Sequence, residues 1–528
     1  MNGTIDVPAA PRRPVESRDP ATGEVWRRFE SSDVTAVHAA LAASRAAQPH
    51  WAGESVAHRA RVIERFRRVL FARRHEVADV VRRENGKPEA EAMATEVMTT
   101  LDLARFFARH APHVLADQHP VPGNIALFLR KRMTVRHEPH GVVAVISPWN
   151  YPFMLAAGLV LPALIAGNGV LFKPSEFSPS SGLLLTELLV EAGVPAGLLQ
   201  LLPGDGLTGA AVVSSGVDKV FFIGSAATGK KIAVSCATRL VECVLELGGS
   251  DPAIVLADAD LDTAASGIAW GRFSNAGQTC IAPKRVLVED AVFDAFMAKL
   301  AARVHALRVG PGSSPTTDVG PVIGPGQKAV LRSQLDDAIA HGAKVAAQGV
   351  VAGSEGDFFP PTLLVDVTAD MKVMKEETFG PLLPILRVRD VEDAVRIANE
   401  TGFGLSASIW TRNTKAAQRL AARIDTGTVV INDTSIAAGI AELSYGGVKE
   451  SGFGHSHGTA GLLSCVRTRA VIADRFTGIR QPWWFAYGPR HAADLDGYLN
   501  FWHGRALGAR IVGAWRSMRL LFFPERPV

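Results

Sequence analysis

Short β-branched segments that alternate with longer helical segments are the feature that most constrains how this chain folds. The run "GVVAVIS" precedes "PFMLAAGLVLPALIAG", "GVLFK" precedes "SSGLLLTELLVEAG", and "DKVFFIG" precedes "KKIAVSCATRL". Strands joined by crossover helices are typical of parallel sheets. The alternation therefore predicts a doubly wound α/β domain. A layer of helices rich in Ala and Arg precedes it, between about residues 33 and 111.

Length and charge limit the classes of function. The chain has 528 residues, enough for more than one domain and for a cleft between domains. Apolar residues make up 47% of the chain and charged residues 20%, with a formal net charge of only +4. This composition is typical of a soluble globular protein and lacks the strong positive charge of a nucleic-acid-binding protein. We therefore expect no nucleic-acid partner.

Cysteine and histidine usage gives no metal site. The four cysteines are too few and too widely spaced for a disulfide framework, and zinc-binding spacings are absent. His455 and His457 lie in a glycine-rich segment without carboxylate or cysteine support, so we expect both to be solvated and predict no metal. The N-terminus lacks the apolar run of a secretory signal, and no apolar stretch is long enough to span a membrane. We expect a cytoplasmic protein.

Residues that follow the predicted strands are the first candidates for a ligand site, because parallel sheets bind ligands at the carboxyl ends of their strands. Lys173 and Glu176 follow such a strand in "LFKPSE". A carboxylate at Glu176 could accept hydrogen bonds from both adenosine-ribose hydroxyls and would repel a 2′-phosphate. This pattern favours NAD as the cofactor, with NADP as the less favoured alternative.

A second nucleotide signal is "FFIGSAATGKK", where a strand ends at Gly224, a helix begins at Ser225 and Gly229 follows. Free N–H groups at a helix N-terminus suit a diphosphate. An ordinary helix N-cap by Ser225 stays open as the simpler interpretation. The segment "GDGLTG" at 204–209 also matches the pattern G-x-G-x-x-G, but no acidic residue follows at the required distance, so we interpret it as a tight turn.

Seven short motifs occur in the order found in NAD(P)-dependent aldehyde dehydrogenases. They are "SPWNYPF" (147–153), "KPSE" (173–176), "GSAATG" (224–229), "ELGG" (246–249), "GQTC" (277–280), "EETFGP" (376–381) and "YGGVKESGFG" (445–454). The chain resembles that superfamily from about residue 17 to about residue 470. The resemblance implies a doubly wound parallel-sheet cofactor domain, an α/β catalytic domain and a β-hairpin oligomerisation arm.

The resemblance also implies domain boundaries and an assembly. It places an NAD-binding domain at 17–122 and 141–245 and a catalytic domain at 246–430. The oligomerisation arm comprises 123–140 and 431–470, and its hairpin would pair with the 431–470 region of a neighbouring subunit. We therefore expect a homodimer or a homotetramer.

The resemblance gives chemistry to one cysteine that would otherwise be interpreted as a small buried apolar residue. Cys280 would attack the aldehyde carbon and form a thiohemiacetal. Glu246 would activate the thiol, the deacylating water, or both. Asn150 would donate a hydrogen bond to the developing alkoxide, beside the backbone N–H of Cys280. Because relatives that transfer the acyl group to coenzyme A typically lack this glutamate, hydrolysis of the thioester to a free acid is favoured.

The matching cofactor positions follow from the same motifs. Solvation of the acidic pair Glu376–Glu377 remains an alternative for Glu377. The residues implied to contact the cofactor are Lys173 and Glu176 at the adenosine ribose, Gly224, Ser225 and Gly229 at the diphosphate, Glu377 at the nicotinamide ribose, Phe379 against the ring, and Trp149.

The substrate is the open question. Almost all pocket candidates are apolar or aromatic, which favours an aliphatic or aromatic aldehyde over a semialdehyde acid. Arg272 and Lys284 keep open a succinic semialdehyde-type dehydrogenase. A catalytically silent relative that binds nucleotide or serves as a structural protein is the alternative of another class, and the catalytic residues argue against it. The pocket candidates are Tyr151, Met154, Leu155, Phe273, Ile281 and Tyr445.

Some positions depart from the family pattern. Ser250 follows "ELGG" where lysine is usual, and Leu-Ser-Tyr stands at 443–445 where Pro-Phe is common. His455 occupies a position where arginine is frequent. These changes leave the proposed chemistry intact and concern the substrate pocket and the subunit contacts.

Residues 475–528 form a basic, aromatic C-terminal extension past the usual end of the family. The extension carries eight arginines against three acidic residues. A helix that covers a partner subunit or the enzyme's own surface is the favoured interpretation. A helix on an anionic membrane surface, giving a peripheral membrane contact, is the alternative hypothesis. Its apolar residues recur at helical spacing: Leu507, Ile511, Trp515, Met518 and Phe522.

Overall fold

The computed structural model describes residues 13–123, 128, 130–351, 355–476, 481, 483–485 and 487–522. Parts of the predicted arm (124–127 and 129) and of the C-terminal extension lie outside these described residues. Contacts group the chain into two units. The first unit is Met1–Leu115 with Glu138–Arg467, and the second is Ala116–His137 with Thr468–Val528.

The helices are numbered in chain order. They are α1 (Val34–Gly53), α2 (Val56–Ala72), α3 (Arg74–Asn85), α4 (Glu89–Ala92), α5 (Thr99–Val114), α6 (Met154–Ile165), α7 (Pro179–Glu191), α8 (Gly206–Ser214), α9 (Ala226–Ala237), α10 (Leu261–Phe273), α11 (Phe293–Ala306), α12 (Pro325–Ala340), α13 (Lys372–Lys375), α14 (Val391–Asn399), α15 (Thr414–Ala421), α16 (Gly458–Leu463), α17 (His491–His503) and α18 (Leu507–Phe522). A π-helix covers Met93–Met98, and short 3₁₀ turns cover Ser274–Gly277, Asp290–Val292 and Ala437–Gly439.

The strands are numbered in the same way. They are β1 (Val15–Arg18), β2 (Val25–Phe29), β3 (Lys131–Pro139), β4 (Val142–Ile146), β5 (Gly169–Lys173), β6 (Leu199–Leu201), β7 (Lys219–Ile223), β8 (Glu242–Glu246), β9 (Asp251–Val255), β10 (Pro283–Glu289), β11 (Arg308–Val309), β12 (Lys344–Gln348), β13 (Val350–Val351), β14 (Thr362–Val365), β15 (Leu382–Val388), β16 (Phe403–Gly404), β17 (Ser406–Trp410), β18 (Thr428–Ile431), β19 (Val448–Lys449), β20 (Gly452–Phe453) and β21 (Val466–Asp474).

The first sheet has the strand order β20–β8–β7–β4–β5–β6. Its strands run parallel except β20, which pairs antiparallel with β8 at one edge. Every residue of β4, β5 and β7 is buried, because their β-branched and aromatic side chains are covered on both faces. Helix α6 is apolar and buried along its whole length. The predicted doubly wound parallel sheet is confirmed.

The second sheet has the order β12–β14–β15–β10–β9–β17–β18 and is parallel except for the antiparallel pair β12–β14. The chain passes directly from the first sheet to the second, because β8 ends at Glu246 and β9 begins at Asp251. Helices α10, α11 and α12 contribute to the apolar core on one side of this sheet. The predicted domain boundaries coincide with no separate contact unit and stay predictions.

The helical layer predicted before the first sheet consists of α1 to α5. Helix α3 ends at Asn85, and Gly86 follows in the left-handed conformation with φ +85°. That conformation favours glycine, so the stop signal in "GKP" acts as predicted. The prediction of a tight turn at 204–209 was wrong for residues 206–209, which form the start of helix α8. There Asp205 caps α8, and its carboxylate accepts the Leu207 N–H at 2.9 Å.

In the second unit, β3 and β21 of the same chain form a two-stranded sheet. Helices α17 and α18 pack together as a hairpin. The two helices approach closely at glycine, since a Cβ on Gly513 would collide with the Gly497 carbonyl. Arg519 forms an ion pair with Asp494 across this contact. Pairing of the arm with a neighbouring subunit stays a prediction.

Candidate active site

The candidate residues from the first sheet lie at one edge of it. Asn150 follows β4, Glu176 follows β5, Ser225 follows β7, and Glu246 is the last residue of β8. Parallel strands end at the same edge, so these four segments are neighbours although they are far apart in sequence. This edge faces the turn that carries Cys280, because Cys280 and Glu246 line one cavity.

The turn before Cys280 is held by an unusual backbone path. Asn275 and Ala276 have φ +50° and +52°, and Gly277 has φ +75°. A Cβ at Gly277 would collide with the Gly380 carbonyl, so only glycine fits there. Left-handed conformations in non-glycine residues persist only where surrounding contacts enforce them. The turn is therefore a fixed support for the residue that follows it.

Buried polar side chains supply those enforcing contacts. The Lys284 ammonium donates to the carbonyls of Thr279 at 2.9 Å and Cys280 at 2.5 Å. The Gln278 side chain donates to the Asn275 carbonyl at 2.9 Å and accepts the Ile323 N–H at 2.8 Å. Both side chains are thus committed to backbone groups and fix the path of the turn.

Cys280 lies where two cavities meet. The first cavity, of about 240 Å³, contains the polar candidates and is named the cofactor-side cavity. The second, of about 300 Å³, is lined mostly by apolar side chains and is named the apolar cavity. Cys280 lines both. A group at this position can contact molecules bound on either side.

The Cys280 thiol is protonated at neutral pH in this environment. Its Sγ lies 3.5 Å from the Tyr445 hydroxyl. Burial raises the pKa of the thiol to about 11, and the Tyr445 hydrogen bond and the Lys284 charge oppose that rise. Because the thiolate is the nucleophilic form, the thiol needs a base or a stronger hydrogen bond before it can attack.

Glu246 is a buried carboxyl group on the cofactor-side cavity. Its Oε1 accepts the Ser456 N–H at 3.0 Å, and its Oε2 is buried with no hydrogen-bond partner among the described residues. Burial raises the pKa of Glu246 to about 8. A carboxyl group with this pKa is suited to accept a proton near neutral pH. The structure thus brings Glu246 and Cys280 to one cavity, which the sequence could not establish.

Asn150 is fixed beside the turn that carries Cys280. Its Nδ2 donates to the Gln278 carbonyl at 3.1 Å, and its Oδ1 has no hydrogen-bond partner among the described residues. Its own carbonyl accepts hydrogen bonds from Lys87 at 2.9 Å and from Asn275 at 2.8 Å. One N–H of the amide therefore remains for another acceptor.

Sequence reasoning missed the residues that position Asn150. Lys87 and Glu96 form a fully buried ion pair at 2.7 Å. The other Glu96 oxygen accepts the N–H groups of Phe153 at 3.1 Å and Met154 at 2.8 Å. Glu96 lies on the π-helix, a form that is frequent at functional sites. The sequence did contain a signal. Lys87 lies in the segment interpreted as a helix stop and Glu96 in the segment interpreted as an apolar helical pattern, and both residues are charged.

The cofactor candidates divide into three groups. Trp149, Gly224, Ser225, Glu377 and Phe379 line the cofactor-side cavity. Trp149 and Phe379 meet edge to face with ring centroids 5.3 Å apart. Ser225 is the N-cap of α9, so the simpler interpretation of this serine is correct and a diphosphate role is compatible with it.

Glu377 is held rather than solvated. Its Oε1 accepts the Gly249 N–H at 3.1 Å and lies 3.7 Å from the Lys284 ammonium. Burial raises the pKa of Glu377, and the Lys284 charge opposes the rise. A Cβ at Gly248 would collide with this carboxylate, so the glycine makes room for Glu377. The Glu377 carboxylate, the two aromatic rings and the helix N-terminus at Ser225 are the groups of this cavity that could hold a nicotinamide cofactor.

The remaining cofactor candidates lie outside that cavity. The Lys173 ammonium is buried and pairs with Glu176 at 3.2 Å. Glu176 is more than a third exposed and lines a separate depression with Phe177 and Asp205. Gly229 is buried against Leu247, where a Cβ would collide with that side chain, so it serves close packing of α9.

Most of the predicted substrate residues line the apolar cavity, among them Tyr151, Met154, Leu155 and Ile281. Its rim carries Met98 and Trp270, both at least half exposed. All of the residues that line this cavity lie in the described part of the chain, and none of them is charged.

Three candidates behave differently. Tyr445 meets the site at the Cys280 sulfur rather than as a cavity wall. Phe273 is buried in the core of the second sheet. Arg272 is fully buried, donates through Nη2 to the Thr378 and Gly380 carbonyls and lines neither cavity, so it is not placed to bind a substrate carboxylate.

The histidine prediction is half right. His455 is exposed as predicted, whereas His457 is buried, and burial lowers its pKa to about 4. Solvation was the wrong prediction for His457 because its ring packs beside Tyr445 with centroids 6.0 Å apart. Among the described residues there is no group of three or more His, Cys, Asp or Glu side chains that could hold a metal ion. Within the same residues, no helix combines the length and apolar character needed to cross a bilayer.

Two mostly parallel sheets, with a thiol, a buried carboxyl group and a helix N-terminus brought together between them, are the architecture of an α/β enzyme. The sequence model of the aldehyde dehydrogenase family matches residues 7–471. The chain therefore belongs to the aldehyde dehydrogenase family, whose members oxidise aldehydes with a nicotinamide cofactor.

Individual relatives are similar over nearly the whole chain. A 4,4'-diapolycopene aldehyde oxidase of a Methylomonas species is 37% identical, covering 92% of this chain and 90% of the relative. A Mycolicibacterium smegmatis protein provisionally named succinate-semialdehyde dehydrogenase (NADP+) is 38% identical, covering 90% and 92%. The NAD+ complex of an aldehyde dehydrogenase from Bacillus cereus has a TM-score of 0.83 at 33% identity, covering 88% of this chain and 93% of the other.

Proposed function

We propose that the protein oxidises an apolar aliphatic or aromatic aldehyde to the carboxylic acid with NAD. The observation that carries this proposal is the position of Cys280 at the junction of the apolar cavity and the cofactor-side cavity. An aldehyde carbon bonded to this sulfur would have its apolar tail on one side and the cofactor on the other. Cys280, Glu246 and Asn150 are the proposed catalytic residues.

The first step forms a bond between the Cys280 sulfur and the carbonyl carbon. The π electrons of the carbonyl move to its oxygen, and the thiol proton passes to a base. Glu246 is the proposed base, because its unpartnered oxygen lies on the same cavity. Its raised pKa lets it hold a proton that an ordinary carboxylate would release. The second N–H of Asn150 stabilises the negative oxygen.

The second step releases the acid. A bound nicotinamide would supply the acceptor for the hydride on the carbon attached to Cys280, and loss of that hydride would leave a thioester on the sulfur. Glu246 first releases the thiol proton to solvent and then takes a proton from water while the water oxygen bonds to the acyl carbon. The carbon–sulfur bond breaks with its electron pair on sulfur, and the proton on Glu246 returns to the Cys280 thiolate. Lys284 keeps the Cys280 carbonyl fixed at 2.5 Å throughout. Glu377, Phe379 and Trp149 would hold the nicotinamide end, and Ser225 with the start of α9 the diphosphate.

Glu176 supports NAD over NADP. Its carboxylate follows β5 and would accept ribose hydroxyls and repel a 2′-phosphate. Lys173 favours the opposite choice in principle, yet its ammonium is already paired with Glu176. The Mycolicibacterium relative is named for NADP+ and the Bacillus cereus structure holds NAD+, so relatives of both kinds exist.

The uncharged walls of the apolar cavity support the substrate class. A semialdehyde acid would need a cation for its carboxylate, whereas Arg272 and Lys284 donate to backbone carbonyls and line neither this cavity nor the cofactor-side cavity. A succinic semialdehyde-type activity is the second candidate, because a Mycolicibacterium relative carries that name. The name of the Methylomonas relative, diapolycopene aldehyde oxidase, favours the first.

NADH formation by the purified protein tests the proposal. The substrates run from succinic semialdehyde through benzaldehyde to long aliphatic aldehydes, with Cys280→Ala as the matched variant. We expect turnover of the apolar aldehydes that the substitution abolishes. Preference for the semialdehyde would overturn the substrate class. No turnover with NAD or NADP would favour a catalytically silent relative.

We further propose a cytoplasmic homodimer or homotetramer assembled through the arm at 123–140 and 431–470. Strand β18 supports this, because it is the last strand of the second sheet and, among the described strands, pairs only with β17. It ends at Ile431, where the predicted arm region begins. An open strand edge is a ready template for a strand of another chain.

Analytical ultracentrifugation tests the assembly with a proline on that open edge. The Thr428 N–H donates to the Leu405 carbonyl just before β17, and the Asn432 N–H donates to the Ile409 carbonyl in β17. The alternating N–H of Val429 therefore lies on the outer edge. Val429→Pro removes this outer donor and should favour the monomer, whereas Val429→Thr keeps it and is the matched control. A monomeric wild type would overturn the proposal.

The C-terminal extension is proposed to contact an anionic membrane surface. On α18, Gly513, Ser517 and Leu520 pack against α17. The apolar stripe on the opposite side is more than half exposed, and Arg510 and Arg516 flank it. A cationic helix with an exposed apolar stripe suits a lipid surface that dissolves apolar aldehydes. The stripe consists of Leu507, Ile511, Trp515, Met518 and Phe522.

Vesicle flotation of the full chain tests this contact. We expect the wild type to float with vesicles of phosphatidylserine and phosphatidylcholine and not with phosphatidylcholine alone. The double variant Ile511→Glu with Trp515→Glu is expected to lose flotation and keep aldehyde turnover. If the double variant instead changes the oligomeric state while flotation is absent in the wild type, a second copy covers the stripe and the membrane proposal fails.

A further inference from the structure

Tyr445 reaches the catalytic sulfur from a segment held by the same residue that holds Glu246. Its backbone exchanges two hydrogen bonds with Ser456, each 2.8 Å long. The Ser456 N–H also donates to Glu246 Oε1 at 3.0 Å. The position of Tyr445 is therefore coupled by backbone contacts to the proposed base.

The hydroxyl of Tyr445 has one hydrogen-bond partner among the described residues, and that partner is the Cys280 sulfur at 3.5 Å. The tyrosine side chain is buried. Burial raises the pKa of the Tyr445 phenol well above its ordinary value, so the hydroxyl keeps its proton when the thiol ionises. A protonated hydroxyl beside a thiolate can act only as the donor of the bond they share.

A comparison with Tyr151 shows that this contact is specific. Tyr151 is a second buried tyrosine near Cys280, and its hydroxyl is bonded to Thr279 Oγ1 at 2.8 Å. Of these two hydroxyls, the Tyr445 hydroxyl is the one that meets the sulfur. The family motif commonly has phenylalanine at position 445, so the hydroxyl is a feature of this chain.

We propose that the Tyr445 hydroxyl is a catalytic hydrogen-bond donor that stabilises the Cys280 thiolate before substrate attack. The inference rests on the proposed role of Cys280 as the nucleophile. The bond is charge-assisted once the thiol ionises, and bonds of that kind are stronger than neutral ones. Loss of the donor should raise the thiol pKa by about one to two units.

Alkylation of the free enzyme by iodoacetamide tests the proposal without any substrate. The rate at Cys280 is followed by mass spectrometry of its peptide, which separates it from the other cysteines. The thiolate fraction falls about tenfold per unit of pKa, and the greater intrinsic reactivity of the more basic thiolate offsets roughly half of that on a logarithmic scale. We therefore expect Tyr445→Phe to react about threefold to tenfold more slowly at pH 7 to 9.

Two variants control the result. Tyr498→Phe removes the hydroxyl of a buried tyrosine on α17 that lines neither cavity, and it should leave the alkylation rate at Cys280 near that of the wild type. Tyr445→Met also removes the donor and should slow alkylation to a similar extent. It provides the test if Tyr445→Phe folds poorly. NAD binding by calorimetry shows which variants are folded. Equal rates for wild type and folded Tyr445 variants would overturn the inference.

The outcome separates this inference from the proposed function. If the Tyr445 variants slow alkylation while no aldehyde is oxidised, the donor stands and the proposed function fails. If aldehydes are oxidised and the Tyr445 variants leave the alkylation rate unchanged, the proposed function stands and the donor role of Tyr445 fails. The pH profile of alkylation adds a readout that a structural role would not move, because its rising limb should shift to higher pH in Tyr445→Phe.

Discussion

The two cavities that meet at Cys280 differ in one respect above all. The cofactor-side cavity contains the ionisable groups Glu246 and Glu377, whereas none of the residues that line the apolar cavity is charged. Both cavities lie at the ends of buried parallel strands and include backbone from several elements. The difference therefore does not come from the fold alone.

This contrast indicates that the two cavities have different roles in the proposed reaction. The proposed mechanism puts proton transfer on the cofactor side, where burial raises the pKa of Glu246 to about 8. It puts selection of the aldehyde on the other side, where the side chains that line the cavity are uncharged. Substitutions on the two sides should therefore have different signatures, one in kcat and one in relative kcat/KM.

The largest effect is expected for Glu246→Gln on the polar side. Loss of a general base commonly lowers the rate by about 10²–10⁴-fold. The wild-type kcat should also rise with pH through about 8, because the carboxyl group accepts a proton only above its pKa. Steady-state kcat measured from about pH 6 to 10 checks both points. An inflection that persists in Glu246→Gln would assign the proton transfer to another group.

Asn150→Ala should have the next largest effect, again on the polar side. Removal of one oxyanion donor commonly lowers kcat by about 10²–10³-fold. Because the donor acts on charge that develops in the transition state, KM for the aldehyde should change little. Steady-state kinetics with an apolar aldehyde provide the measurement, and iodoacetamide alkylation of Cys280 is the control that should stay unchanged. A proportional rise in KM would show that Asn150 binds the ground state instead.

On the apolar side, Leu155→Arg should change selectivity rather than proton transfer. The buried leucine lines the cavity, and arginine there supplies the cation that a semialdehyde acid requires. We expect kcat/KM for apolar aldehydes to fall by about tenfold to a hundredfold. We expect kcat/KM for succinic semialdehyde to rise. Leu155→Met is the volume-matched control and should change little. Equal losses for both substrate classes would remove this cavity from substrate selection.

The sequence predicted one side of this comparison better than the other. The doubly wound sheet and the strand ends that carry Glu176 and Ser225 followed from local patterns, because strand–helix alternation is a local property. Glu246 was predicted only through the resemblance to the family. The buried pair Lys87–Glu96 did not follow from such patterns, since nothing in a single sequence distinguishes a buried charge from a solvated one. The same limit explains the wrong expectation for His457.

Tertiary contacts decided the remaining cases. Tyr445 was predicted as a wall of the substrate pocket, and only the structure showed its hydroxyl at the sulfur. Gly229 was placed at the diphosphate by its motif, yet its neighbour is the Leu247 side chain. Motif spacing gives the order of segments along the chain, whereas the direction of each side chain depends on the packing around it.

The smallest effect is expected for Glu176→Gln, in the separate depression that Glu176 lines after β5. The carboxylate there is more than a third exposed, so solvent screens its interactions. We expect the preference for NAD over NADP, measured as the ratio of kcat/KM values, to fall by about tenfold because a neutral amide neither repels a 2′-phosphate nor accepts two hydroxyls. Glu187→Gln, an exposed carboxylate on α7, is the matched control. An unchanged ratio would mean that selection between the cofactors does not depend on the Glu176 carboxylate and lies with other residues, either Lys173 or those of the cofactor-side cavity.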